Sequence, residues 1–164
     1  MVMQHNLSGR FIITEAKTLI ENISRVSILV VENEPNIASY IEDVLDKAGF
    51  QIAGIAASAH AAISIATTEH PRLALVDIGL AGDIDGIELA HLLRDQHSIP
   101  TIFISGAADE NTLLRAKSVQ PLGFLSKPFL PSHVFNAIQQ ALGKLAPSKS
   151  CHHDEILVHG NSSR

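Results

Sequence analysis

Polar side chains that could handle a phosphoryl group follow several hydrophobic runs of the chain. The runs end at the acidic turn 32–34, at Asp77, at Ser105 and at Lys127. Each run has the composition of a buried parallel strand, and the carboxyl ends of such strands meet at one edge of a sheet. Acids that can hold a divalent cation, a separate aspartate, a hydroxyl and an ammonium group are what phosphoryl transfer requires. The sequence therefore predicts chemistry on a phosphoryl group at this edge.

Positioning these side chains requires strands and helices to alternate along the chain, which is typical of a parallel sheet covered by helices on both faces. Hydrophobic runs predict strands at residues 26–31, 51–55, 73–76, 101–104 and 123–126. Helical spacing predicts helices at about residues 37–48, 59–69, 87–96, 109–118 and 131–145. Right-handed crossovers limit the topologies that fit this order.

Several helix ends carry local signals. Ser58 and Asp109 precede apolar periodic segments and are predicted to be N-caps. Gly49 predicts the end of the first helix, and the pair His70 and Pro71 predicts the end of the second.

Four segments, in the same order and at regular spacing, resemble the receiver domain of two-component response regulators. They are Ile28–Pro35, Val76–Ile78 with Asp85–Leu89, Phe103–Ala107 and Gly123–Phe129, so the resemblance extends over about residues 25–145. Each segment alone is common, whereas four in order are specific. The resemblance implies an α/β fold of the flavodoxin-like, doubly wound (βα)5 type, with a five-stranded parallel sheet of order 2-1-3-4-5.

The resemblance also implies roles for the polar residues. Asp77 would be the phosphoacceptor. Lys127, whose bond to Pro128 is typically cis in the family, would contact a phosphoryl oxygen. Ser105 would bind the phosphoryl group after transfer. Phe124 could turn with Ser105 as a switch, or could simply belong to the hydrophobic core.

The metal site implied by the resemblance departs from the family at one position. Mg²⁺, or another divalent cation, would be held by Asp77, the Asn33 side chain, the Gly79 backbone carbonyl and, through water, Glu32. The family usually has acids at positions 32 and 33, and asparagine lacks the charge, so weaker metal binding is expected. Glu34, one residue on, could compensate for the missing charge, but a strand or a turn is expected to aim its side chain away from the site.

As a whole, the chain resembles a stand-alone, single-domain response regulator of a phosphorelay. A histidine kinase or a phosphotransfer protein would phosphorylate Asp77. The output would be altered binding of a protein partner, or of a second copy, through the face made by the fourth helix, fifth strand and fifth helix. The chain would be a signalling phosphoacceptor and not an enzyme. Asn33 leaves a second hypothesis open, a pseudo-receiver that binds partners without control by phosphorylation.

Gly79 bears on two further expectations. Phosphatases of the haloacid dehalogenase type also use a strand-end aspartate, but they need a second acid two residues later, where this chain has Gly79. This count disfavours a phosphatase. The residues two past Asp77 and two past Ser105 are Gly79 and Ala107, and neither can orient an attacking water. Hydrolysis of an acyl phosphate on Asp77 is therefore expected to be slow.

The composition fits one α/β domain. The chain has 164 residues, 46% of them hydrophobic, with a net charge of −5 and a pI near 5.9. This length is enough for one well-buried domain, predicted at residues 26–146, and short for two. The acidic balance and the absence of a basic run argue against direct nucleic-acid binding. With a single cysteine, no signal-peptide pattern and no long apolar segment, the chain is predicted to be cytoplasmic, without a membrane span.

The residues flanking this domain carry weaker signals. The N-terminal extension, residues 1–25, has an apolar stripe at helical spacing that could dock on the domain or on a partner, or could be a frayed extension. The tail, residues 147–164, is polar and predicted to be disordered. Its Cys151, His152 and His153 lack the spacing of a tetrahedral metal site and are interpreted as solvated side chains.

Overall fold

The computed structural model describes residues 26–106 and 109–145 of the chain. The strands are β1 (Ser27–Val31), β2 (Gln51–Ala56), β3 (Leu73–Asp77), β4 (Thr101–Ser105) and β5 (Gly123–Ser126). The helices are α1 (Pro35–Lys47), α2 (Ala59–Glu69), α3 (Gly86–His97), α4 (Glu110–Ser118) and α5 (Pro131–Leu145). Every predicted strand and helix is therefore present, within the one or two residues by which such boundaries vary.

The strands form one parallel sheet in the order β2-β1-β3-β4-β5. This order confirms the predicted flavodoxin-like arrangement. Strands β3 and β4 are buried along their whole length, and β1 is buried except at its first residue. Their continuous aliphatic sequences reflect this burial on both faces. The edge strands β2 and β5 are partly exposed.

Alternate side chains of the central strands build two hydrophobic cores. Ile28, Val30 and Leu75 pack with α1 and α5 on one face of the sheet. Leu29 and Val76 pack with α2, α3 and α4 on the other face. A shift of one residue in any central strand would exchange its two buried faces, so the packing fixes the register of the strands. The positions of the residues at the carboxyl ends follow from this register.

The predicted helix caps are confirmed. The hydroxyl of Ser58 accepts a hydrogen bond from the Ala61 backbone amide at 3.3 Å, and Asp109 Oδ1 accepts one from the Thr112 amide at 3.0 Å. Gly49 follows α1 with a φ of +80°, a conformation that favours glycine. These contacts set where α1 ends and where α2 and α4 begin.

Two sequence-based predictions lie outside the described residues. They concern the N-terminal extension, residues 1–25, and the tail, residues 147–164, with its cysteine and histidines. Among the residues that the structure describes, no helix is both long enough and apolar enough to cross a membrane.

Candidate functional site

The strand register brings the predicted polar residues together at the carboxyl edge of the sheet. The pairing of β1 with β3 places Glu32 beside Asp77. Ser105 ends β4 opposite the last residue of β5, so Lys127 follows beside it. Glu32, Asp77 and Ser105 are all buried, which is unusual for polar side chains and indicates that each has a specific environment.

An open cavity of about 470 Å³ lies above these residues. Asp77, Ser105 and Lys127 line it from the strand ends, and further lining comes from the loop after β3 and from α4. The side chains predicted to act on a phosphoryl group therefore share one solvent-accessible space.

The Lys127 ammonium group lies among carboxylates. Its Nζ is 2.8 Å from Glu32 Oε2, 3.4 Å from Asp77 Oδ2 and 3.4 Å from Glu34 Oε1. The Lys127 side chain is only 16% exposed and those of Glu32 and Asp77 are buried, so solvent and salt screen these two interactions weakly, whereas Glu34 is exposed and more strongly screened. The peptide bond that follows Lys127 is cis, as the resemblance implies. One ammonium against several carboxylates leaves the cluster with an excess of negative charge.

Two opposing effects act on the Lys127 ammonium. Burial disfavours the charged form, but the close contact with Glu32 and the charge of Asp77 outweigh burial and raise the pKa of Lys127 above its usual value. Lys127 therefore keeps its positive charge at neutral pH.

The turn after β1 differs from the sequence-based expectation. Glu34 lines the cavity and contacts Lys127, so the expectation that it points away from the site is wrong. Strict alternation fails because β1 ends at Val31 and the chain bends at Asn33, where the Glu34 amide donates to Glu32 Oε1 at 3.0 Å. Asn33 is exposed and does not line the cavity. Its role as a metal ligand stays a prediction.

Ser105 and Phe124 occupy different environments. The Ser105 hydroxyl borders the cavity and donates to the Gly106 carbonyl at 3.1 Å. Phe124 is 39% exposed, and its ring packs beside that of Phe103 with the centroids 5.8 Å apart. The core interpretation of Phe124 is therefore wrong, because the residue lies on the exposed side of an edge strand. Its role as a switch stays a prediction.

The loop after β3 and the start of α3 approach the backbone of Asp77 closely. The Gly79 amide donates to Asp77 Oδ1 at 3.2 Å. At Gly86, the first residue of α3, a Cβ atom would overlap the Asp77 carbonyl oxygen and would lie 2.9 Å from its carbonyl carbon. Glycine is needed here because any side chain would push α3 away from Asp77. The predicted use of the Gly79 carbonyl as a metal ligand stays a prediction.

An ion pair that sequence reasoning missed lies at the rim of the cavity. Asp85 Oδ1 caps α3 by accepting from the Ile87 and Glu88 amides at 3.0 and 2.8 Å. Asp85 Oδ2 accepts from Arg115 Nη2 of α4 at 2.8 Å. Burial opposes the charged form of Asp85, but the Glu88 amide and Arg115 together lower its pKa. The Asp-Gly pair before a helix signals the cap, whereas nothing in the sequence signals the pairing with Arg115.

The oxygen atoms around Asp77 suit a hard divalent cation such as Mg²⁺. Asp77 and Glu32 offer carboxylate oxygens, and the buried Glu32 Oε2 lies 2.8 Å from the Lys127 ammonium. Within residues 26–106 and 109–145, no three acidic, histidine or cysteine side chains form a ready-made metal cluster. Mg²⁺ usually takes only one or two carboxylates and keeps several waters. The residues present therefore fit the ion.

A model of one protein family and several curated proteins match this chain. The response regulator receiver domain family matches residues 28–139. The phyllosphere-induced regulator PhyR of Methylorubrum extorquens is 33% identical over 116 residues, which cover 70% of this chain and 43% of PhyR. The transcriptional regulatory protein PdtaR of Mycobacterium tuberculosis is 25% identical over 117 residues, which cover 71% of this chain and 57% of PdtaR. The chain thus spans about half the length of these relatives.

Solved structures share the fold. The signal receiver domain of a modulated diguanylate cyclase from Desulfovibrio desulfuricans G20 superposes with a TM-score of 0.69 and 34% identity, covering 72% of this chain and 94% of that domain. The receiver domain of NtrX from Brucella abortus superposes with a TM-score of 0.66 and 30% identity, covering 71% of this chain and 98% of that domain. The similarity therefore spans nearly the whole of each of the two solved receiver domains.

Proposed function

The chain belongs to the response regulator receiver domain family, and we propose that it accepts a phosphoryl group on Asp77 and signals by altered protein binding. The donor would be a phosphohistidine on a histidine kinase or a phosphotransfer protein. The observation that carries the proposal is the Asp77 carboxylate at the end of β3, 3.4 Å from the Lys127 ammonium in an open cavity. Beyond phosphorylation and dephosphorylation of its own aspartate, we expect no enzymatic reaction.

The transfer has to bring two negative groups together. An Asp77 carboxylate oxygen attacks phosphorus, the phosphorus–nitrogen bond of the donor breaks, and the imidazole leaves with the bonding electrons and takes up a proton. The product is an acyl phosphate on Asp77. Mg²⁺, when bound by Asp77 and its neighbours, supplies positive charge that offsets the repulsion between the carboxylate and the phosphoryl group.

Lys127 supplies the second positive charge. Its Nζ already lies 3.4 Å from Asp77 Oδ2, so an oxygen of a phosphoryl group attached there comes within its reach. Glu32 holds the ammonium in place at 2.8 Å. Because the raised pKa keeps Lys127 charged, its contribution to transfer is constant across the neutral pH range.

The output is proposed to begin at Ser105. Its hydroxyl now donates to the Gly106 carbonyl, and an oxygen of the phosphoryl group would be a charged and therefore stronger acceptor. The exchange of partners would draw the start of the β4–α4 connection inward. Phe124, exposed on β5, could then change its position and with it the face formed by α4, β5 and α5. A downstream protein or a second copy would bind this face differently in the two states.

Phosphorylation of Asp77 can be tested with acetyl phosphate and Mg²⁺, followed by measurement of the intact mass. The wild type should gain one phosphoryl group, and a chelator of divalent cations should prevent the gain. Asp77→Asn keeps the shape of the side chain and removes the nucleophile, so it should gain none. No gain in the wild type, from acetyl phosphate or from a cognate kinase, would refute the proposal.

The proposed output can be tested with Ser105→Ala. This variant should still gain the phosphoryl group, but it should lose most of the phosphorylation-dependent change in hydrogen exchange of residues 106–130. A response in Ser105→Ala equal to that of the wild type would place the switch elsewhere.

Asn33 supports a second candidate function, a receiver-like interaction module that phosphorylation does not control. The residue lacks the charge usual in the family and lies outside the cavity lining. Measuring partner binding with and without acetyl phosphate and Mg²⁺ separates the two candidates, because the module would bind its partners equally in both conditions. Phosphoryl transfer would require the ion.

A further inference from the structure

Arg115 is a cation at the site that the mechanism above does not use. It lines the same cavity as Asp77, and its side chain is 58% exposed. Lys127 is the other cation of the lining, and it already lies among three carboxylates. A phosphoryl dianion arriving at Asp77 adds negative charge to a cavity whose lining carries more acids than bases. Arg115 is the guanidinium group placed to meet that charge.

The partner of Arg115 can release it at little cost. Asp85 Oδ1 accepts the Ile87 and Glu88 amides, while Oδ2 accepts from Arg115. Loss of Arg115 would therefore leave the cap of α3 intact. Both side chains are more than a third exposed, and ion pairs of this kind are weakly held in water. Asp85 offers Arg115 only Oδ2, because Oδ1 caps the helix, whereas a phosphoryl group has several oxygens that can accept two parallel hydrogen bonds from the guanidinium group.

We propose that Arg115 is a second phosphate-binding residue, which Asp85 holds at the rim of the cavity until a phosphoryl group competes for it. Asp85 and Arg115 thus form a latch between α3 and α4, closed in the unphosphorylated protein and opened by the phosphoryl group. Because Arg115 belongs to α4, its movement would carry the state of Asp77 directly to that helix. This inference rests on the proposed phosphorylation of Asp77.

The test compares two variants that break the same ion pair from opposite sides. In acetyl phosphate and Mg²⁺, Arg115→Gln removes the phosphate ligand and should slow the gain of phosphoryl mass about five- to tenfold, the effect of one half-exposed charged hydrogen bond. Asp85→Asn keeps a capping oxygen and frees Arg115, so it should speed the gain about two- to fivefold. A merely structural brace predicts the same change in both variants, and that result would overturn the proposal.

The double variant separates release of Arg115 from a general change in charge. If Asp85 acts through Arg115, Asp85→Asn combined with Arg115→Gln should behave like Arg115→Gln alone. If the two effects simply add, the latch is refuted. Two controls alter charge outside the cavity lining. Asp83→Asn removes an exposed acid from the loop after β3, and Arg72→Gln removes an exposed arginine before β3. Both should react at the wild-type rate.

Calorimetric titration with inorganic phosphate tests the latch without any covalent step. Phosphate should bind more tightly to Asp85→Asn than to the wild type, and more weakly to Arg115→Gln. If the wild type gains no phosphoryl mass but phosphate follows this order, the proposed function fails, whereas the assignment of Arg115 as a phosphate-binding residue held by Asp85 stands. Equal phosphate affinity in all three proteins refutes the latch, whatever happens at Asp77.

Discussion

Gly86→Ala should destabilise the protein by forcing α3 away from the end of β3. In this structure the added methyl group would overlap the Asp77 carbonyl oxygen and lie 2.9 Å from the Asp77 carbonyl carbon and 3.1 Å from the Ile78 Cα. Carbon atoms in contact prefer about 3.5–4.0 Å, so the two carbon contacts alone require α3 and β3 to separate by roughly 0.5–1 Å, and the overlap with the carbonyl oxygen requires a larger movement. All three contacts are with backbone atoms, and no side-chain rotation relieves them. The cost should lie in the upper half of the range for overpacking, about 2–3 kcal/mol.

Thermal unfolding measures this cost directly. At about 4 °C per kcal/mol for a domain of this size, the Tm should fall by roughly 8–12 °C. The backbone of Gly86 does not have the positive φ that favours glycine, so the loss of stability would reflect only the close approach of α3 to the backbone of Asp77 and Ile78. Gly143→Ala is the matched control, since Gly143 lies in α5 with open space around its Cβ. Alanine there should stabilise by about 0.5–1 kcal/mol. A Gly86→Ala variant as stable as the wild type, with unchanged phosphorylation of Asp77, would refute the reasoning.

Three further predictions concern charges at the site. Asn33→Asp should bind Mg²⁺ more tightly in a calorimetric titration, and unchanged affinity would mean that position 33 does not face the ion. The same titration of Glu34→Gln shows whether Glu34, which lines the cavity, contributes to Mg²⁺ binding instead. Lys127→Met leaves Glu32 and Asp77 without their cation and should cost about 1–3 kcal/mol of stability at pH 7, less than for a fully buried pair. Because the pKa of Lys127 is raised, the wild type should be more stable than Lys127→Met by the full amount below about pH 10, and the difference should disappear as the pH rises further. A difference in stability that persists at higher pH would show that it does not come from the ion pairs. The pKa of Asp85 is lowered, so the ionised side chain stabilises the folded protein above the ordinary aspartate pKa of about 3.9, and this stabilisation is lost as the pH falls below it. Asp85→Asn should therefore melt at a lower temperature than the wild type at pH 7 and at the same temperature at about pH 2.

The sheet and the ends of its central strands could be predicted because their signal is local. Each buried strand is a short aliphatic run, and each polar residue of interest follows such a run directly. Parallel pairing then brings Asp77, Ser105 and Lys127 to one edge without further information. The caps at Ser58 and Asp109 were equally local, since each depends on backbone amides within three residues.

What could not be predicted depends on contacts between distant residues or on a bend of the chain. The bend at Asn33 turns Glu34 toward Lys127, against the alternation of a straight strand. The pairing of Asp85 with Arg115 joins residues 30 positions apart. Both features depend on how the helices pack against the sheet, and the periodicity of the sequence does not predict this packing.

Some local features also carried no usable signal. Ser98 caps α3 and Gln120 lies two residues past the end of α4, both with φ values of 56°, where glycine would be the usual residue. Phe124 follows the apolar pattern of a strand, yet it is exposed because β5 lies at the edge of the sheet. In both cases the residue type was a poor guide, since position in the tertiary structure decided the outcome.

Direct mapping of the phosphoryl group tests the central claim. After treatment with acetyl phosphate and Mg²⁺, borohydride reduces an acyl phosphate on aspartate to homoserine, and the modified residue can be located by mass spectrometry. The tryptic peptide of residues 73–94 contains Asp77 together with Asp83, Asp85 and Glu88, so fragmentation of one peptide distinguishes the candidates. We predict homoserine at position 77 and at no other acid of this peptide. Homoserine at another acid, or an unmodified peptide from protein that has gained phosphoryl mass, would contradict the assignment of Asp77 as the phosphoacceptor.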